Sequence, residues 1–152
     1  MKVKGFTLIE QVLVIAIIVL LVTITLVSFS LFRQERQLEG TTAELVSTLE
    51  QARAQTLAFT GQSVYGVHVD TNQFVLFQGG SYDAAAATNK VFLLSQDVEA
   101  SAWVLQGGGN DIIFDRLTGK TSQSGAITLR IKQHTSRTKT ITVLTTGVVS
   151  SN

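Results

Sequence analysis

Lys4-Gly5-Phe6-Thr7-Leu8-Ile9-Glu10, followed after Gln11 by the apolar run Val12–Phe32, is the segment from which the rest of the chain is best read. No side chain between Glu10 and Arg33 is charged, and Thr23, Thr25, Ser28 and Ser30 are the polar exceptions within the run. At about 1.5 Å per residue, a helix of this length covers roughly 30 Å, the hydrocarbon thickness of a bilayer. Lys2 and Lys4 precede it, so the positive-inside tendency places the N-terminus in the cytoplasm and everything beyond Arg33 outside. Arg33 and Arg36 on the far side work against this orientation, and Glu35 and Glu39 offset them. A cleaved secretory signal also begins with lysines, but its apolar core is usually about 7–15 residues long. The pair Ser28 and Ser30 is also a poor substitute for an Ala-x-Ala cleavage site.

Glu10 is the unusual residue. A carboxylate near the bilayer centre costs about 2.5–3.5 kcal/mol, so its place beside an apolar run needs a reason. A helix N-terminus explains why it is tolerated: Thr7 caps the helix, and a carboxylate in the first turn is favoured by the positive end of the macrodipole. That explanation leaves its purpose open.

The stretch Lys4–Glu10 with its apolar continuation resembles the class III leader of type IV pilins and pseudopilins. The resemblance implies that a membrane aspartyl peptidase, the prepilin peptidase, cuts between Gly5 and Phe6 and methylates the new amino terminus of Phe6. It also implies that Glu10 pairs with the terminal ammonium of a neighbouring subunit. Pairing the two groups removes two desolvation penalties and fixes the axial stagger, because a wrong register leaves both charges buried alone. An intrachain pairing across one helical turn is equally compatible with the spacing. The organisation expected is a leader over 1–5, a transmembrane and filament-core helix over 6–32, an amphipathic continuation over 33–61 and a β-rich domain over 62–152. The expected address is a single-pass cytoplasmic membrane anchor with the C-terminal domain outside, followed by a pilus or pseudopilus made with other pilins. Many major pilins carry a proline in the second half of the anchor, and this chain has no proline.

Beyond the run, Leu38, Leu45, Leu49, Ala52, Thr56 and Phe59 share one helical face, with Glu39, Glu50, Gln51 and Gln55 opposite and Gly61 as the expected stop. Gly40 lies inside this helix and, with Ser28 and Ser30, marks a place for bending. After Gly61 the period changes to two. Val64–Val69 and Gln73–Gln78 read as a hairpin through Asp70–Asn72, and 79–90 as a loop. Further strands are expected at Val91–Leu94, Ala102–Leu105 and Ile112–Phe114. The alternation of Ile127, Leu129 and Ile131, with Ile141 and Val143, predicts an antiparallel pair that closes on a loop Gln133–Arg137. Ile127 then faces Val143 and Leu129 faces Ile141, which puts both apolar sets on the side that covers the helix. The fold class is therefore α+β, a long N-terminal helix followed by antiparallel sheet. The order of elements, with Gly119, Gly125 and the Gly147-Val148-Val149 ending, resembles the GspH/FimT class of minor pilins and pseudopilins, which implies a two-sheet domain.

Twelve Lys and Arg against eleven Asp and Glu give a net charge of +1, and there is no cysteine, so disulfides and thiolate metal sites are excluded. His68 and His134 have no carboxylate at metal-ligand spacing along the chain. Asp70 and Asn72 lack the glycine and distal glutamate of a calcium loop, and no nucleophile elbow or phosphate loop occurs. No metal, cofactor or enzymatic activity is expected. Arg130, Lys132, Arg137 and Lys139 fall within ten positions without an acid. They read as a charged strand face in preference to a nucleic-acid contact. The DNA-uptake pilins of the FimT class use a basic C-terminal tail, and Thr146–Asn152 contains neither Lys nor Arg.

Overall fold

The computed structural model describes residues 5–152, with the side chains of residues 24–28 outside the description. Lys2 and Lys4, which carry the orientation argument, and most of the expected leader therefore lie outside the described residues, as do the side chains of Thr25 and Ser28. The chain divides into two compact units, the first ending at Arg33 and the second running from Gln34 to Asn152. Helix α1, Leu8–Leu57, contributes to both. It passes through Gly40 without interruption. Among the described residues, no helix is long and apolar enough to cross a membrane. Because residues 24–28 fall inside Val12–Phe32, the uninterrupted apolar run is a property of the full sequence.

In the second unit, α1 buries Leu38, Leu45, Leu49, Ala52 and Thr56, the face expected from the spacing. The same face carries buried threonines that apolar periodicity does not reveal. Thr42 Oγ1 donates to Leu38 O at 2.7 Å and Thr48 Oγ1 to Glu44 O at 2.8 Å, so each hydroxyl is satisfied within its own helix. Thr56 Oγ1 accepts the Tyr65 N–H at 2.8 Å and so ties the helix end to the first strand. The helix stops at Leu57, earlier than the expected Gly61. Phe59 takes a left-handed conformation with φ 52, and the Arg116 guanidinium sits 3.4 Å from its ring centroid. That cation–π contact stabilises a turn residue that would otherwise be strained.

Eight strands follow: β1 Tyr65–Val69, β2 Gln73–Gln78, β3 Lys90–Leu93, β4 Val98–Leu105, β5 Asp111–Ile113, β6 Gly125–Ile131, β7 His134–Val143 and β8 Val149–Ser151. They form two antiparallel sheets, ordered β3-β2-β1-β5 and β4-β6-β7-β8. Their inward faces and α1 share one core, in which Phe74, Leu76, Ile112, Phe114, Ile127, Leu129 and Ile141 meet Leu45 and Leu49. Leu49 is wholly buried. Leu49→Ala is expected to lower unfolding free energy by about 2–5 kcal/mol, measured by urea unfolding of the detergent-solubilised chain.

Two details correct the sequence reading. The β6–β7 hairpin is tighter than expected, because His134–Arg137 belong to β7 and not to a loop. The register pairs Ile127 with Ile141 and Leu129 with Lys139, then jumps from Arg130↔Thr138 to Ile131↔His134. This register differs from the expected one by two positions, so every side chain keeps its face and Ile127, Leu129, Ile131, Ile141 and Val143 are all buried. Next, β4 begins at Val98. A register shift between Ala100 and Ala102 puts Val98 and Ala100 inward before it and Leu105 inward after it, which breaks the alternation that would have revealed the strand. Residues 79–89 are a loop, as expected, and Tyr82 within it lies against the outer face of the first sheet. Tyr82 stacks on His68 at 4.0 Å and meets Phe77 edge-on at 5.6 Å, so β2 is buried on both faces.

Candidate assembly surface

Among the described residues of the first unit, the apolar side chains of α1 are exposed. Phe6, Leu8 and Ile9 are 72–83% exposed, and the apolar side chains from Val12 to Val22 are exposed as well. A helix that is apolar on every side is matched to lipid or to other helices, not to water. Inside it the Thr23 hydroxyl donates to Val19 O at 2.9 Å and Leu20 O at 2.8 Å, so it places no unmet demand on its surroundings.

Gly5, Phe6 and Thr7 precede the helix. Thr7 Oγ1 accepts the Glu10 N–H at 3.3 Å, the expected N-cap, and Thr7-x-x-Glu10 has the spacing of a capping box. Glu10 is thereby fixed in the first turn, where the helix dipole favours its charge. Its carboxylate is exposed and, among the described residues, enters no ion pair. Glu10 thus combines a fixed position in the first turn with a carboxylate set between Leu8-Ile9 and, after Gln11, the apolar run.

The basic residues of the β6–β7 hairpin do not form an open positive patch. Arg130 Nε meets Glu99 Oε1 at 2.6 Å, and Arg137 Nη1 meets Glu35 Oε1 at 3.2 Å. Lys132 is exposed, and Lys139 lines a cavity of ≈ 360 Å³ together with Glu35 and Glu39. Glu35 and Glu99 were invisible as partners in the sequence because they lie on α1 and β4, far from the hairpin in chain order. A third pairing between residues far apart in the chain joins His68 Nδ1 to Asp111 Oδ1 at 2.6 Å, across the β1–β5 ladder. Among the described residues, no group of three or more His, Cys, Asp and Glu is placed to hold a metal ion.

A profile of the family described as Type II transport protein GspH matches residues 41–147, from the second half of α1 through the turn before β8. Two crystal structures of the Pseudomonas aeruginosa PAO1 type IV minor pilin FimU have the same fold. One superposes with a TM-score of 0.59 at 11% identity, covering 80% of this chain and 92% of that one. The other crystal form gives 0.55 at 10% identity, covering 76% and 92%. Among curated protein sequences, none matches this chain. The profile begins beyond Gly5, Phe6 and Glu10, so it is the two-sheet domain and its supporting helix that show the chain to be a pilin-like member of the GspH family.

Proposed function

We propose that this chain is a minor structural subunit of a type IV pilus or a type II secretion pseudopilus, anchored in the cytoplasmic membrane before assembly and packed through its N-terminal helix afterwards. Prepilin peptidase removes residues up to Gly5 and methylates Phe6. Glu10 then neutralises the terminal amine of an adjacent pilin. The observation that carries this reading is the conjunction of Lys4–Glu10 with an exposed helix that is apolar on every side. Assembly transfers that surface from lipid to other helices, and the chemistry is packing and charge pairing, not bond making.

N-terminal mass spectrometry of the membrane-extracted chain tests the processing step. The expected product begins at Phe6 and carries one added methyl group, and Gly5→Leu is expected to leave the chain uncut. A product that still begins at Met1, or one that begins well beyond Phe6, contradicts the reading. The ligand- or DNA-binding alternative would draw on Lys132 and Lys139, since Arg130 and Arg137 already hold Glu99 and Glu35.

A further inference from the structure

A cavity of ≈ 460 Å³ opens where the end of α1 meets β1, β2 and the end of the 79–89 segment. It lies apart from the anchor and from the basic hairpin, and its size falls within the ~300–1,000 Å³ range of small-molecule sites. Gln55, Gln78, Asn89, Thr88 and Tyr65 line it, with the apolar Leu76 and Ala87 beside them. Lys90 is its one charged lining residue, and no carboxylate lines it.

The wall is held in place by its own bonds. Asn89 Nδ2 donates to Asp83 O at 2.7 Å, Gln78 Nε2 donates to Gly61 O at 3.3 Å, and Tyr65 is tied through its N–H to Thr56. Such a wall loses little freedom when a ligand arrives. Asn89 Oδ1 is closed off within it and has no hydrogen-bond partner. Buried in this way it lies out of a ligand's reach, so Asn89 serves to hold the wall and not to offer a free acceptor.

The lining selects among ligand classes. A cation would need carboxylates, a polyanion more than one lysine, and a lipid chain a wall without amides. An extended peptide is read along an unpaired strand edge by consecutive main-chain groups, whereas here the offered groups are side-chain amides and a hydroxyl. Sugars have hydroxyls that both donate and accept, and C–H faces that lie against aromatic rings. We propose that this cavity binds a short neutral glycan, with Gln55 and Thr88 bonding its hydroxyls and Tyr65 supporting one sugar face. The proposal does not depend on filament assembly.

The test is an NMR titration of the full chain in phosphocholine micelles, since detergents with sugar headgroups would compete. The probes are maltotriose, cellotriose, chitotriose and a neutral pentapeptide rich in serine and threonine. At least one trisaccharide is expected to give saturable amide shifts centred on Gln55, Tyr65, Asn89 and Lys90. Gln55→Ala and Thr88→Val should each weaken binding about threefold to tenfold, the loss of one neutral hydrogen bond, while Gln51→Ala on the same helix leaves it unchanged. The proposal is overturned by the absence of saturable shifts with all three sugars up to about 10 mM, a ligand range weaker than ordinary recognition. Shifts that map elsewhere, shifts indifferent to both substitutions, or saturation by the pentapeptide alone overturn it equally. None of these outcomes touches the assignment tested by N-terminal mass.

Discussion

Glu10→Ala is expected to reduce incorporation of the chain into filaments by more than tenfold while leaving its level in the membrane and its cleavage after Gly5 intact. Under the proposed assembly, each subunit would bring one carboxylate and one ammonium into apolar surroundings. Removing one partner of a buried pair costs about 3–5 kcal/mol, because the other charge is left uncompensated. That corresponds to roughly a hundredfold or more in an equilibrium constant. The helix itself should persist, since Thr7 caps it through the Glu10 backbone N–H and not through the carboxylate. The measurement is the ratio of sheared filament to membrane fraction by quantitative immunoblot. A solitary membrane protein with an uncleaved anchor would show no such change.

The second large effect is on folding. Gly147 has φ +78, and a Cβ there would lie 1.8 Å from the Gly119 carbonyl oxygen. Gly119 is itself left-handed, with φ +62, and its carbonyl accepts from Arg53 Nε at 3.0 Å. The turn before β8, the turn after Arg116 and helix α1 therefore close on one another through backbone that leaves no room for a side chain. Gly147→Ala is expected to cost about 3–5 kcal/mol, combining left-handed strain of about 1–2 kcal/mol with displacement of main chain that cannot move cheaply. Two controls separate these contributions. Gly108 has φ +75 with nothing within 4 Å of its Cβ position, so Gly108→Ala should cost only the strain, about 1–2 kcal/mol. Gly80 has neither constraint, so Gly80→Ala should be nearly neutral. Urea unfolding followed by the single tryptophan provides the readout, because Trp103 Nε1 donates to Asn110 Oδ1 within the folded unit. Equal midpoints for the three variants would contradict the steric argument.

Residues close together in the chain were legible, and residues brought together by pairing were not. The cap at Thr7, the helical face from Leu38 to Thr56 and the β1–β2 hairpin each depend on neighbours within one or two turns, and the sequence pattern reached them directly. The β6–β7 register was misjudged by two positions because alternation fixes only which face a residue occupies, and a shift of two leaves that unchanged. The start of β4 was hidden by the irregularity at Ser101, and the end of α1 by a left-handed phenylalanine, a residue that carries no local signal for that conformation. The stacking of Tyr82 from the 79–89 loop on His68 of β1 joins residues far apart in the chain, and composition alone could not anticipate it. The same limit applied to charge. Arg130 and Arg137 read as part of a charged strand face, and their partners Glu99 and Glu35 are supplied only by the fold.

A cryo-electron microscopy reconstruction of the assembled filament, at a resolution that shows carboxylates, bears most directly on the role of Glu10. The expected density places its carboxylate within about 4 Å of the amino nitrogen of Phe6 in an adjacent subunit, surrounded by apolar side chains. A carboxylate facing solvent, or one with no amine beside it, would contradict the assembly mechanism proposed for this chain.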